Sequence, residues 1–220
     1  MRVRFIFFVF GILLTGKVVS QTNIQTTKYR EDQFYLSFSL LLQQESLEGF
    51  KQNGFSNNFQ IGFVRDMPLN SQGTWAMGLG LGYGFNRLIS NLNVEKLDGK
   101  FIFEVDENQK NLQTFSSLVI PLSFRFRTST AERTDFWRIY GGLKYKLNFA
   151  AKFNPFYGSS SKNEFIRKNN TAVFLSMGFN TWNIALEYDL SPIYVEEAQT
   201  PEGADPNIQI LKLGLVFYIF

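Results

Sequence analysis

The chain has 220 residues, 22 basic and 19 acidic, with no Cys and no His. That excludes disulfides, thiolate metal sites and thiol catalysis, and it removes the commonest general base and the commonest metal ligand. There are 25 Phe, 9 Tyr and 3 Trp, yet the mean hydropathy is only −0.10. A wall with one apolar and one polar face accounts for both.

Residues 1–20 read as a cleaved secretory signal. Arg2 and Arg4 open it, Phe5 to Leu14 form its apolar core, and Val18 and Ser20 precede a cut at Gln21. That core falls well short of the ~20 residues a membrane-spanning helix needs, and no later stretch is longer. Loss of Arg2, Arg4 and Lys17 leaves 19 basic against 19 acidic residues, so the mature chain is formally neutral and carries no case for nucleic-acid binding. Residues 21–32 read as a short periplasmic lead-in, and residues 33–220 as one domain, since no Pro/Gly/Ser-rich linker divides them.

Eight strand-like segments follow. The first, Phe34–Gln44, places Phe34, Leu36, Phe38, Leu40 and Leu42 opposite Tyr35, Ser37 and Ser39. The second, Asn58–Met67, sets Phe59, Ile61 and Phe63 against Gln60, Gly62, Val64 and Asp66. In the third, Trp75, Met77, Leu79, Leu81, Tyr83 and Phe85 alternate with Ala76, Gly78, Gly80, Gly82, Gly84 and Asn86, a period of two that no amphipathic helix gives. The fourth (114–128), fifth (136–149), sixth (171–180), seventh (182–190) and eighth (208–220) repeat the pattern. Short turns near Leu69–Gly73, Ser129–Asp135 and Thr181 alternate with long connections near Glu45–Asn57, Ser90–Gln113, Ala150–Asn170 and Ser191–Asn207. This asymmetry is that of an outer-membrane barrel, and an even strand count puts both termini on the periplasmic side. A soluble barrel would have to pack the large residues of strand three into a narrow centre and leave its Ala/Gly stripe in water. The sequence therefore predicts an all-β, eight-stranded, antiparallel up-and-down transmembrane β-barrel.

The polar face of this wall collects Asp66, Arg125, Arg127, Arg138, Lys144, Lys146, Glu187, Asp189 and Lys212. Buried charges need partners, so these residues predict a pairing network that fills the lumen. The alternative is a narrow anion-preferring pore, kept open by the glycine stripe, since eight strands otherwise leave only enough interior for side chains. Glu187 and Asp189 share a strand face and could serve acid/base work or a cation, but the neighbouring bases favour ion pairing. Gly78 to Gly84 lacks the following helix of a phosphate loop. No catalytic residue, metal or cofactor is expected, and the chain reads as a non-enzyme. Trp75, Trp137, Trp182 and Tyr188 suit interfacial girdles, the three tryptophans all beside short turns. The loop Ser191–Asn207 is acidic (Glu196, Glu197, Glu202, Asp205), whereas Ala150–Asn170 is basic (Lys152, Lys162, Arg167, Lys168 against Glu164).

The terminal strand, with Lys212, Gly214, Phe217, Ile219 and Phe220, resembles the signal read by the barrel-assembly machinery. Ile120-Pro-Leu-Ser-Phe-Arg-Phe-Arg127, Tyr140-Gly-Gly-Leu-Lys-Tyr-Lys146 and Asn180-Thr-Trp-Asn-Ile-Ala-Leu-Glu-Tyr188 resemble the PorT-like outer-membrane barrels of Bacteroidetes, over about residues 30–220. The resemblance rests on strand texture, so it brings no functional residues with it. It implies a structural or interaction role in the envelope, in a family whose namesake is associated with type IX protein secretion. The partners it implies are the lipid bilayer, the barrel-assembly machinery and other outer-membrane or periplasmic proteins.

Overall fold

The structure is a computed structural model that describes residues 30–44, 47–128 and 137–219. The signal segment, most of the lead-in, the turn near 129–135 and Phe220 lie outside the described residues. Eight long strands make the wall: β1 (Gln33–Gln44), β2 (Asn57–Pro68), β3 (Trp75–Ser90), β6 (Asn111–Arg127), β7 (Trp137–Asn154), β9 (Asn169–Phe179), β10 (Trp182–Asp189) and β12 (Gln209–Ile219). Each pairs antiparallel with the next, and β1 pairs with β12, so the sheet closes on itself. Closure leaves no edge in the wall, so its backbone polar groups are satisfied by strand pairing.

The register fixes the bore. Following paired positions once round from Gln33, through Val64, Gly80, Lys144, Ala172 and Asp189, returns to β1 at Gln43, a stagger of about ten residues. With strands ~4.8 Å apart and ~3.3 Å of rise per residue, eight strands at that stagger tilt by about 40° and close at a backbone radius of about 8 Å. Side chains fill a tube of that width.

Alternation then sorts the residues. Outward-facing Trp75, Met77, Leu79, Leu81, Tyr83 and Phe85 of β3 are all exposed, as are Phe34, Phe38, Leu40 and Leu42 of β1. From Trp75 to Phe85 is about 33 Å of strand, or about 25 Å of height at this tilt, the thickness of an outer-membrane apolar band. One end of the belt is ringed by aromatic pairs beside the short turns: Trp75–Phe126 at 4.6 Å between ring centres, Trp137–Phe179 at 5.6 Å, Trp182–Phe217 at 4.5 Å and Phe34–Phe63 at 5.1 Å. Tyr188 sits at the opposite end of its strand, with its hydroxyl on Gln209 of β12.

The long connections are more than loops. Strands β3, β6 and β7 run further than the sequence pattern indicates, because the period-two apolar signal fades where the strands leave the belt. The 92–105 segment is a hairpin of β4 (Leu92–Leu97) and β5 (Lys100–Val105), and β11 (Ala198–Gln199) adds to it in parallel. A two-residue strand, β8 (Ser161–Lys162), folds back on β7. Over this end lies an apolar core built from Leu41, Leu88, Phe115, Phe153 and Ile210 of the wall and Leu92, Phe103, Phe165, Ile193 and Tyr194 of the connections. The barrel therefore ends in a packed cap.

Candidate functional site: the sealed lumen

The lumen holds two groups of ion pairs. Near the short-turn end, Asp66 of β2 accepts hydrogen bonds from Arg125 Nη1 at 3.1 Å and Arg127 Nη2 at 2.8 Å, both from β6. Glu31 lies 3.5 Å from Arg127 and 4.0 Å from Arg138 of β7. Asp66, Arg125, Arg127 and Arg138 are all at most 1% exposed. Toward the long-loop end, the Glu187 carboxylate of β10 accepts from Lys144 at 2.7 Å, Lys146 at 3.1 Å and Lys212 at 2.8 Å, amines on β7 and β12. Lys146 also bonds Asp189, and Asn170 donates to that carboxylate at 3.3 Å. So all nine charged positions of the polar face turn inward, and the two groups are separate in space. Between them sit Tyr35, Tyr140, Tyr218, Val64 and Val216 in one cluster, with Arg125 stacked 4.6 Å over the Tyr140 ring.

The glycine stripe of β3 makes this packing possible. A Cβ on Gly78 would come within 2.5 Å of Arg125 Nε, and one on Gly82 would run into the Tyr35 hydroxyl. The missing side chains are the space these long chains occupy, so the stripe does not open a bore. A pore for anions would need a continuous path past both charge groups. The void between them is about 30 Å³, room for one or two waters, and the apolar cap closes the long-loop end above it.

Several participants were not legible as such. Glu31 falls in the lead-in rather than in a strand, yet it is 3% exposed, and its backbone N–H bonds Asp66. Gln33 bridges Glu31 and the Tyr140 hydroxyl at 3.1 and 3.3 Å, and Gln60 accepts from Lys144 at 3.2 Å. The β4–β5 hairpin did leave a signal: Asp98-Gly99, both at positive φ, is the two-residue turn that favours tight hairpins. Of the terminal-strand residues, Lys212 and Gly214 face inward, whereas Phe217 and Ile219 sit on the outer rim.

The exterior charges are distributed differently. Lys96 on β4 donates to Glu164 at 2.9 Å, and Lys162 lies 3.7 Å from the same carboxylate. These bases hold the Glu164 carboxyl below its ordinary range, the Lys96 hydrogen bond first. Arg167 lies 3.6 Å from Glu196, and the basic and acidic loops also meet along the Ile166–Tyr194 bridge.

A closed eight-stranded wall with an apolar exterior belt, an aromatic rim and a lumen of buried ion pairs defines an outer-membrane β-barrel protein. Residues 19–191 match the outer membrane protein beta-barrel domain, and the chain belongs to that family. Among curated proteins none matches. A solved structure similar to this chain is that of Ail, the attachment invasion locus protein of Yersinia pestis, in complex with the heparin analogue sucrose octasulfate. It shares 15% identity at a TM-score of 0.43, covering 87% of this chain and 99% of that one.

Proposed function

We propose that the protein is a structural and interaction component of the outer membrane that works through the surface of its cap. The observation that carries this reading is the sealed lumen: two ion-pair groups fill the bore and an apolar core closes one mouth. With the bore filled by side chains among the described residues, the surface left for a macromolecular partner is the outside of the barrel and cap. In this reading the long connections face the cell exterior, and the start of β1 and the end of β12 face the periplasm with the short turns, which is the usual sense of a short-turn, long-loop asymmetry. The last strand is the segment presented to the barrel-assembly machinery. The partners are other envelope proteins, and the resemblance to PorT-like barrels points to a secretion or surface-assembly complex of the type IX kind.

The test pairs two measurements on protein from native membranes. A gentle-detergent pull-down should recover envelope proteins that are lost when the β4–β5 and β7–β8 tips are replaced by short Gly-Asn turns. Planar-bilayer recording should give no stable steps. Anion-selective conductance that disappears on neutralising Arg125 and Lys144 would refute the proposal.

A further inference from the structure

The void between the two charge groups has an unusual lining. Its polar members are Arg125, Lys144, Ser37, Ser123, Ser176 and the phenol groups of Tyr35 and Tyr218, with Val64, Pro121, Phe174, Ala185 and Val216 completing the wall. No carboxylate borders it, although four carboxylates lie elsewhere in the same lumen. Two of the three Arg125 guanidinium nitrogens are engaged, Nε on Ser123 at 3.1 Å and Nη1 on Asp66, and the residue lines the void. Lys144 spends two donors, on Glu187 and Gln60, of the three an ammonium carries. The Tyr35 hydroxyl, on a residue only 4% exposed, has no hydrogen-bond partner among the described residues. Among the described residues, the linked amines Lys144, Lys146 and Lys212 pair with two carboxylates, Glu187 and Asp189, a surplus of one positive charge in a buried network.

We propose that this void is a binding site for one monovalent anion of halide size, held between Arg125 and Lys144 in the sealed lumen. Two cationic side chains with no carboxylate beside them at the void favour an anion over a neutral water, and the hydroxyls of the lining can turn their O–H groups toward it. An anion there also supplies the charge that the three lysines lack, at a point where low dielectric makes an uncompensated charge costly. The void of about 30 Å³ has room for a single small ion such as chloride or bromide. The site is structural: it lies between the two ion-pair groups of the lumen, and it does not rest on the partner-binding role proposed above.

The experiment uses the full-length mature barrel folded in detergent, with sodium bromide as the probe. Crystals grown in bromide should show one anomalous peak between Arg125 and Lys144. In solution, bromide should raise the thermal midpoint saturably relative to gluconate at equal ionic strength. Lys144→Gln should weaken that response roughly tenfold, the worth of one charge-assisted hydrogen bond. Ala185→Val, which fills the void without touching a charge, should remove both the peak and the response. If Lys144→Gln does not fold, wild type and Ala185→Val still decide. An anomalous map with no peak in the void, or a saturable bromide response unchanged by Ala185→Val, would overturn the assignment.

Discussion

Glu187 is the point where the lumen is most exposed to a single change. Its carboxylate serves three amines, at 2.7, 2.8 and 3.1 Å, and the group is 4% exposed. Glu187→Gln keeps the shape and removes the charge, leaving Lys144, Lys146 and Lys212 with Asp189 alone. Breaking a buried pair by deleting one partner costs about 3–5 kcal/mol, and three amines sharing one partner argue for a value near the middle, about 4 kcal/mol. At a urea dependence of about 2 kcal/mol per molar, the unfolding midpoint should fall by about 2 M. The assay is equilibrium urea unfolding of the folded barrel in detergent, followed by tryptophan emission and by the gel shift between folded and heated forms. Removing the counter-charge as well should recover part of the loss. Glu187→Gln with Lys212→Met should be more stable than the two single effects added, with a coupling of at least about 1 kcal/mol. A single variant within about 0.5 kcal/mol of wild type, or strict additivity in the double, would refute the view that this carboxylate organises the upper lumen.

Three further outcomes follow from the geometry. Gly82→Leu puts a side chain where the Tyr35 hydroxyl lies, whereas Gly84→Ala meets only ordinary contacts beginning at 3.4 Å; the first should abolish the folded, heat-modifiable band and the second should leave it. Phe103→Ala in the cap should cost about 3–5 kcal/mol locally, read as faster protease cleavage within 92–105 while the wall stays folded. The Glu164 carboxyl titrates below its ordinary value because the pair with Lys96 favours its charged form. A depressed carboxylate stabilises the fold above its unfolded pKa and loses that contribution as pH falls through its folded value. The Lys96–Glu164 contact should therefore loosen only in acid. Lys96→Gln should return the NMR titration midpoint of Glu164 toward the ordinary range, and an unchanged midpoint would show that Lys96 is not its partner.

The wall was readable because each strand repeats one physical rule. Large apolar residues at every second position, as from Trp75 to Phe85, allow only a strand with lipid-like surroundings on one side, and the eight such strands close as one sheet. Parity alone also says which face Arg125 or Glu187 takes. It does not say which residue each will meet. That depends on the stagger of about ten residues, which brings Lys144 of β7 to Glu187 of β10 and past its nearer neighbours in the sheet. Glu31 was hidden because no periodic pattern governs a segment before the first strand. The cap was hidden for a related reason: Phe103, Phe165 and Ile193 come from separate connections and share a core only once the wall has positioned them.

The inner face of the wall changes character along its length. Tyr35, Ser37 and Ser39 of β1 give way to Leu41, Asn86 of β3 to Leu88, Ser117 of β6 to Phe115, and Lys212 of β12 to Ile210. Leu41 and Ile210 flank the junction of the first and last strands, where Gln43 pairs with Ile210. That junction has no covalent link of its own, and a barrel splitting there would also have to tear the cap apart. The cap is thus a clasp across the seam, able to fasten only after the ends of the sheet have met. Its outward residues remain free to change in sequence while its inward ones keep the ring shut.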